Sequence, residues 1–479
     1  MKRRIIIIQS VVIVALLVPL VNNLVSLSGR KPVVREPETP GAATLSYTPP
    51  PSPKLLLETI PELLESRKRN FTPTVDKITE GIYLARGYML GSIAMIITDE
   101  GLVLVDAGEN RQIAAEVMKE FRKITNKPVK VIVYTHGHLD HVTGTESLVQ
   151  DGTEIISTEI AKGMIEKDLG WLGTYHQRVR NHQFGFFNEE YAIARPFDLP
   201  FKPDREAEII LPTLTFEKEY TFELGGKRFE LRHTTGETPG HLTLWLPDDH
   251  ALFCGDQFYE SFPNLSSPML EPRPVRGWIT SLEEMSALKP RYLIPSHTVA
   301  IAGEENVLQV LNDRTKAIRH VYDKTVNAMN NGLSVEQAVA SISLPEDLVN
   351  SPQLRELYGT VAWSVRGIYQ GETGWYTGNG SNLNPLPDRF QAREIVKLVG
   401  GANTILARAV ELQEAGEHQL VCELTDVVIS ANPEDRLARI IKSFSLDYLG
   451  VTGGNINSMG FYRSAAARER MMANYRLGS

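Results

Sequence analysis

The stretch Thr135-His136-Gly137-His138-Leu139-Asp140-His141 packs three histidines and a carboxylate into six positions. No other feature constrains the fold as sharply, because donors of this kind work only when a fold gathers them. The stretch follows VKVIVYT, a nearly continuous apolar run of the sort found in a strand covered on both faces. His136 and His138 are two apart in an extended loop, so both side chains can point to one side. Asp140 and His141 come one turn later and can address a second ion. Neutral imidazole suits zinc, and a carboxylate adds charge to a site that must hold a dication.

Three further pieces complete a ligand set. GETPGH places His241 after a Pro-Gly turn and directly before the strand HLTLWLP. FCGD places Asp256 at the end of another strand, and IPSH places His297 at the end of a third. Five of the eleven histidines thus fall at strand ends or loops beside two aspartates. The expected arrangement is His136, His138 and His241 around one ion, and Asp140, His141 and His297 around another. Asp256 bridges them, which makes two Zn2+ per chain. Asp106, in LVDAG, is placed to orient a histidine from behind.

The surrounding pattern is one of short strands. KITEGIYLARG and SIAMIITDEGLVLVDAG read as two or three strands with a tight turn at Asp99–Gly101. RQIAAEVMKEFRKIT has helical spacing, with Ile113, Val117, Phe121 and Ile124 on one face. Strands mixed with a few helices, up to about residue 303, indicate a two-sheet α/β or α+β domain. After Glu304 the strands stop and helical stretches take over. Among these, HQLVCELTDVVISA carries a stripe of Leu420, Leu424, Val427 and Val428. With DRLARIIKSFSLDYLG it forms a pair that looks like a degenerate tetratricopeptide-type hairpin.

The N-terminus reads differently. Lys2, Arg3 and Arg4 precede an uncharged run from Ile5 to Leu27. At about 1.5 Å per residue such a run is just long enough to cross a bilayer. Positive charge before an apolar run is the layout of an export signal, so the chain is expected to be exported, periplasmic or extracellular. The run is read as a membrane anchor, with a cleaved signal peptide as the alternative. The expected organisation is anchor or signal at 1–29, Pro-rich linker at 30–74, catalytic domain at 75–303 and helical domain at 304–479. The formal net charge of −8, with no Lys/Arg run past the N-terminus, argues against nucleic acid as the main partner. Two cysteines, Cys254 and Cys422, exclude a disulfide framework or a Cys-rich zinc module.

The order and spacing of the metal motifs resemble the metallo-β-lactamase superfamily over about residues 75 to 303. The resemblance implies an αββα sandwich with metals at one edge of the sheets. Diiron relatives of that fold carry Glu at the position of His138, so the histidine favours zinc. GIYQGETGWYTGNGSNLNPLP and GGANTILARAVELQEAGEHQLVCELTDVVISANP are similar to the dimerisation domain of alkyl sulfatases built on this fold. That extends the resemblance to about residue 470 and implies an all-α dimerisation domain, a homodimer, and a sulfate-ester hydrolase. The sterol-carrier-like C-terminal domain of long family members is expected to be absent.

Some positions depart from that family. Its members usually carry glutamates where this chain has His241 and Asp256. Asn264 matches the Asn of the family's His-Asn-Leu segment, but Pro263 stands for the preceding His and Met269 near the following Arg. Arg273 and Arg276 are the replacements expected to bind an anion, and Arg178 matches an Arg of the family's lid segment. Trp171, Tyr175, Phe184, Phe186 and Phe187 are the candidate wall of an alkyl groove. The implied chemistry is attack by a metal-bound hydroxide, with Asp140 and Asp256 as catalytic carboxylates and a small anionic alkyl compound as substrate. Two other readings compete: a dizinc hydrolase of another ester, lactone or amide, and a non-catalytic membrane-tethered assembly module.

Overall fold

The structure is a computed structural model and describes residues 47–50, 60–184 and 203–476. Its centre is two mixed sheets packed face to face. The first is seven-stranded and runs in sequence order: β1 (Thr74–Thr79), β2 (Ile82–Arg86), β3 (Ile93–Ile97), β4 (Leu102–Val105), β5 (Val129–Val133), β6 (Glu154–Thr158) and β7 (Leu214–Phe216). The second holds β8 (Glu219–Leu224), β9 (Lys227–His233), β10 (Leu242–Leu246), β11 (Ala251–Gly255), β12 (Tyr292–Pro295) and β13 (Ile301–Ala302), in reverse spatial order. β4 to β7 are mutually parallel, as are β11 and β12.

The strand period of two decides which residues meet. Along β4, Val103 and Val105 face inward against Phe229, Leu244 and Phe253 of the second sheet. Leu102 and Leu104 face outward, onto the helix Arg111–Arg122 through Val117 and Phe121. That helix starts where Asn110 caps it, its side chain accepting from the Gln112 and Ile113 amides at 2.9 and 3.0 Å. It ends at Arg122, so Ile124, the last residue of the expected stripe, lies past the helix and is exposed. The second sheet is covered outside by the helix Val275–Ala287 and the long helix Glu304–Asn330, with Trp278, Leu282, Leu311 and Ile318 in one core. The layers are therefore α, β, β, α.

The region that follows is helical. The helices His418–Ala431 and Arg436–Thr452 form the expected pair, packed beside Ile456–Met472. Of the expected stripe on the first of these, Val428 is buried and Leu424 and Val427 pack partly buried against the same core; Leu420 alone departs from it. Val421, Cys422, Thr425 and Val428 are buried, while Leu420 is 42% exposed. The covered face is therefore wider than the expected stripe and turned slightly, so that its edge at Leu420 stays open. The expected linker also contains structure: Pro61–Asn70 is a helix whose Leu63 packs with Leu357 and Met459 of the helical region. Proline composition masked it because Pro61 starts the helix, where its missing amide costs nothing. Among the described residues no helix is long and apolar enough to cross a membrane. The apolar run Ile5–Leu27 lies outside those residues.

Candidate metal centre

The parallel strands deliver the site. Asp106 follows β4, Thr135 and His136 lie just past β5, Asp256 follows β11, and Ser296 and His297 follow β12. All are C-terminal strand ends at one edge of the sandwich. His138 caps the short helix Leu139–Val142, which carries Asp140 and His141.

Two groups of donor atoms result. His136, His138, Glu237 and Asp256 form one, and Asp140, His141 and His297 the other, with the atoms of each group within 4.8 Å of one another. His136 Nε2 lies 3.0 Å from His138 Nδ1 and 3.4 Å from Glu237 Oε2. His297 Nε2 and His141 Nε2 lie 3.5 and 3.4 Å from Asp140 Oδ2. Asp256 Oδ2 reaches both groups, at 3.9 Å from His136 Nε2, 3.6 Å from His141 Nε2 and 2.9 Å from His297 Nε2. Four imidazoles and three carboxylates crowd together here, like groups beside like. His141 Nε2, Glu237 Oε2 and Asp256 Oδ1 are buried with no hydrogen-bond partner among the described residues. Each such atom costs about 1–3 kcal/mol. Cations between the two groups would remove that cost, so the donor set fits metal.

Behind the donors, Asp106 fixes the frame. Its fully buried carboxylate accepts from the Thr135 amide at 2.8 Å, Thr135 Oγ1 at 3.0 Å and Ser296 Oγ at 2.7 Å. His141 Nδ1 sits 2.8 Å from Asp106 Oδ2, which directs Nε2 at the site. Asp106 holds a left-handed backbone (φ 60°), tolerable for an aspartate and held by those four contacts. His297 Nδ1 is fixed likewise, 2.9 Å from the Leu90 carbonyl. Asp106→Asn turns an acceptor into a donor facing donors. Metal affinity is expected to fall about 10–100-fold with the fold kept, measured by chelator competition.

Charge in the centre is polarised. Burial pulls His136 well below its ordinary pKa, and His141 and His138 add to this. Burial also acts on His141, but Asp140, Asp256 and Asp106 outweigh it and hold that ring well above its ordinary value. His297 is likewise raised against burial, to about 9, chiefly by Asp256. His141 and His297 are therefore protonated near pH 7.5 without an ion, and an imidazole must be neutral to bind one. Adding Zn2+ to chelator-stripped protein at that pH is expected to release about one proton or more per chain. Apparent affinity then rises with pH towards 9; a weakly buffered indicator titration without proton release would contradict this.

The structure does not bring His241 into either donor group. Its ring is buried and stacks on His136 with centroids 5.1 Å apart, but Nε2 accepts the Asp256 amide at 3.1 Å and Nδ1 faces Thr234 Oγ1 at 3.2 Å. Glu237, four residues earlier in the same turn, supplies a donor instead. The one sequence signal for it is an acid inside GETPGH, which the neighbouring histidine outweighs on spacing alone. Gly255 makes the His241 contact possible: its φ is +51°, and a Cβ there would collide with Nε2.

A cavity of about 1110 Å³ opens from the donors. Its wall includes Leu169, Leu172, Tyr175, Val179 and Phe184 on one side and Tyr358 and Trp363 of the helical region on another. Arg273 lines it, 9% exposed, with Nη1 2.6 Å from Glu237 Oε1. Arg178 and Arg276 are exposed and are not among the lining residues. Arg180 is, and it has no carboxylate partner among the described residues. Positions two apart on the helix Gly173–Gln183 point about 200° apart, so only one of Arg178 and Arg180 can face inward. Asn264 is buried, its amide group has no partner among the described residues, and it lies outside the lining. Trp171 is 76% exposed, and Phe186 and Phe187 lie outside the described residues.

Residues 87–297 match the metallo-beta-lactamase superfamily, and residues 334–471 match the alkyl sulfatase dimerisation family. Over 385 residues the chain is 32% identical to a linear primary-alkylsulfatase from Pseudomonas sp., covering 78% of this chain and 72% of that protein. The chain belongs to the alkyl sulfatase family. An alkyl/aryl-sulfatase of Saccharomyces cerevisiae and an (R)-specific secondary-alkylsulfatase of Pseudomonas sp. are each 25% identical to it. Of these two it spans 63% and 64%, less than two thirds of their length. The solved structure of a stereoselective inverting sec-alkylsulfatase from Pseudomonas sp. superposes with a TM-score of 0.79 at 22% identity, over 86% of this chain and 67% of that one. That likeness establishes the fold. This alkyl sulfatase-family chain is thus a hydrolase-fold protein whose buried His, Asp and Glu clusters are consistent with metal binding.

Proposed function

We propose that the chain is a dinuclear zinc hydrolase of alkyl sulfate esters. The observation that carries the reading is Asp256 Oδ2 reaching both donor groups beside a largely apolar cavity, which His138, Asp140, Glu237 and His297 line. His136, His138, Glu237 and Asp256 would hold one ion, and Asp140, His141, His297 and Asp256 the other. The chemistry such ions supply when bound is polarisation of a substrate oxygen and acidification of water. Asp106 keeps His141 aimed at the site, and the Leu90 carbonyl does the same for His297. The apolar wall receives the alkyl part and strips it of water. Arg180, a cation on that wall with no carboxylate partner among the described residues, receives the anionic group.

The second reading, hydrolysis of another ester, lactone or amide, draws on Arg273. Glu237 already occupies that guanidinium, which weakens its hold on a sulfate. Export through the N-terminal segment and a homodimer formed by the helical region complete the proposal. The dimer is supported by the dimerisation-family match and by the exposed segment from Thr373 to Pro387, whose Trp375 is 74% exposed.

The test is turnover by the full chain on a primary and a secondary alkyl sulfate, a phosphodiester, a lactone and a β-lactam, with metal content measured on the same sample. Sulfate release at about two zinc per chain is the expected result. Turnover only elsewhere in the panel selects the second reading. Arg180→Ala is expected to raise KM for the alkyl sulfate about tenfold, the size of one lost charge-assisted contact. Arg178→Ala is expected to leave it unchanged.

A further inference from the structure

Arg314 is a buried cation without an anion. It sits in the helix Glu304–Asn330, is 0% exposed, and has no carboxylate partner among the described residues. Its guanidinium instead meets three main-chain carbonyls of one loop. Nη1 donates to Gln257 O at 3.4 Å, and Nη2 donates to Tyr259 O and, at 2.6 Å, to Ser261 O. The rings of Phe258 and Tyr259 lie 4.6 and 4.9 Å from its centre. The loop 257–261 thus wraps the guanidinium with alternate carbonyls. Arginine's planar fork suits that geometry, whereas an ammonium is a point donor.

Burying an unpaired guanidinium is costly, and an apolar side chain of similar volume would fill the space at less cost. What an apolar side chain lacks is donors for three carbonyls that converge in the core. The loop they belong to begins at Asp256, the carboxylate common to both donor groups, and carries Tyr259 on the cavity wall. Other bonds hold the same loop from elsewhere: Trp278 Nε1 donates to Gln257 O at 3.1 Å, and the Phe262 amide donates to Arg355 O at 2.8 Å. Among the described residues, Arg314 is the side chain that spans its length.

We propose that Arg314 is a positioning residue for the metal centre: from the helical region it fixes the loop after β11 and so sets where the Asp256 carboxylate stands. The role rests on the metal-centre reading and not on the identity of the substrate. It makes the long helix part of the site's frame rather than a cover for the second sheet alone.

The test compares Arg314→Lys and Arg314→Gln with the wild-type full chain, loaded with Zn2+ and titrated with a competing chelator well below each protein's unfolding temperature. Both variants are expected to lose about 10–100-fold in metal affinity, and to lose kcat more than KM changes. Lysine is expected not to rescue, since one ammonium cannot span three carbonyls. Phe258→Leu, which thins the packing around the guanidinium but keeps the carbonyl bonds, is expected to melt earlier and bind metal as wild type. Variants that melt earlier yet bind metal normally would reduce Arg314 to a packing residue and overturn the proposal. Hydrogen exchange on the wild type decides the matter if the variants do not fold. The amides of Gln257, Ser261 and Phe262, which donate to main-chain carbonyls, are expected to stay protected after chelation; if they open, the ions and not Arg314 shape the loop. A wild-type chain that takes up no ion would sink the metal reading and this role together.

Discussion

Asp256→Asn is expected to abolish hydrolysis while leaving the chain folded. Asp256 is 6% exposed, and its Oδ2 reaches both donor groups. Burial pushes its pKa up, but His297 and His141 outweigh that and hold it well below the ordinary carboxylate range. The group is therefore charged at any working pH. Replacing it by a neutral amide strands three imidazoles and leaves Asp140 as the one carboxylate of its group. Breaking a buried charged partnership costs about 3–5 kcal/mol. Spent on metal affinity, about 3 kcal/mol is a loss of more than a hundredfold. Metal content is expected to drop from about two per chain towards one or none, read by elemental analysis after dialysis, with circular dichroism unchanged. A variant that keeps both ions and its turnover would show that Asp256 does not bridge.

The second large effect concerns stability. Trp278→Ala is expected to destabilise the protein by about 3–5 kcal/mol, the range for truncating a large buried aromatic. Trp278 is fully buried between the second sheet and the long helix, in one core with Phe258, Phe262 and Leu282. The cavity left has little to fill it, because Gly236 already brings its backbone against the ring: a Cβ there would lie 2.6 Å away. The loss also frees one bond to the Gln257 carbonyl. A fall of roughly 10 °C in the unfolding temperature follows, measured by calorimetry. Trp375, 74% exposed, provides the contrast, since its truncation removes little buried area from the single chain.

Much of this protein is legible in its amino-acid order. Alternation and apolar runs locate most strands, because a strand's side chains alternate whatever it packs against. The donors stand at strand ends because His and Asp break an apolar run, and parallel strands bring such ends to one edge. Asp106 is legible for the same reason. The change from strands to helices after Glu304 follows from the change of period. Periodicity misleads at positions decided by rotation about a helix or a bond. The stripe Leu420, Leu424, Val427 and Val428 packs as expected except at Leu420, and only the neighbouring helices decide that Val421, Cys422 and Thr425 are covered in its place.

Spacing along the chain was enough to indicate a two-sheet domain, the helical half, and histidines and aspartates at strand ends; the sandwich with its metals at one edge was implied by the resemblance to the metallo-β-lactamase superfamily. Spacing suffices for the former because it sets the direction of a side chain relative to its own strand. Which atoms face one another was settled by packing alone. His241 turned to the Asp256 amide fifteen residues away, Glu237 took a place among the donors, Arg180 rather than Arg178 faced the cavity, and Arg314 reached the loop after β11 from a helix more than fifty residues further on. Each of these depends on contacts between distant segments, and such contacts exist only once the layers have packed.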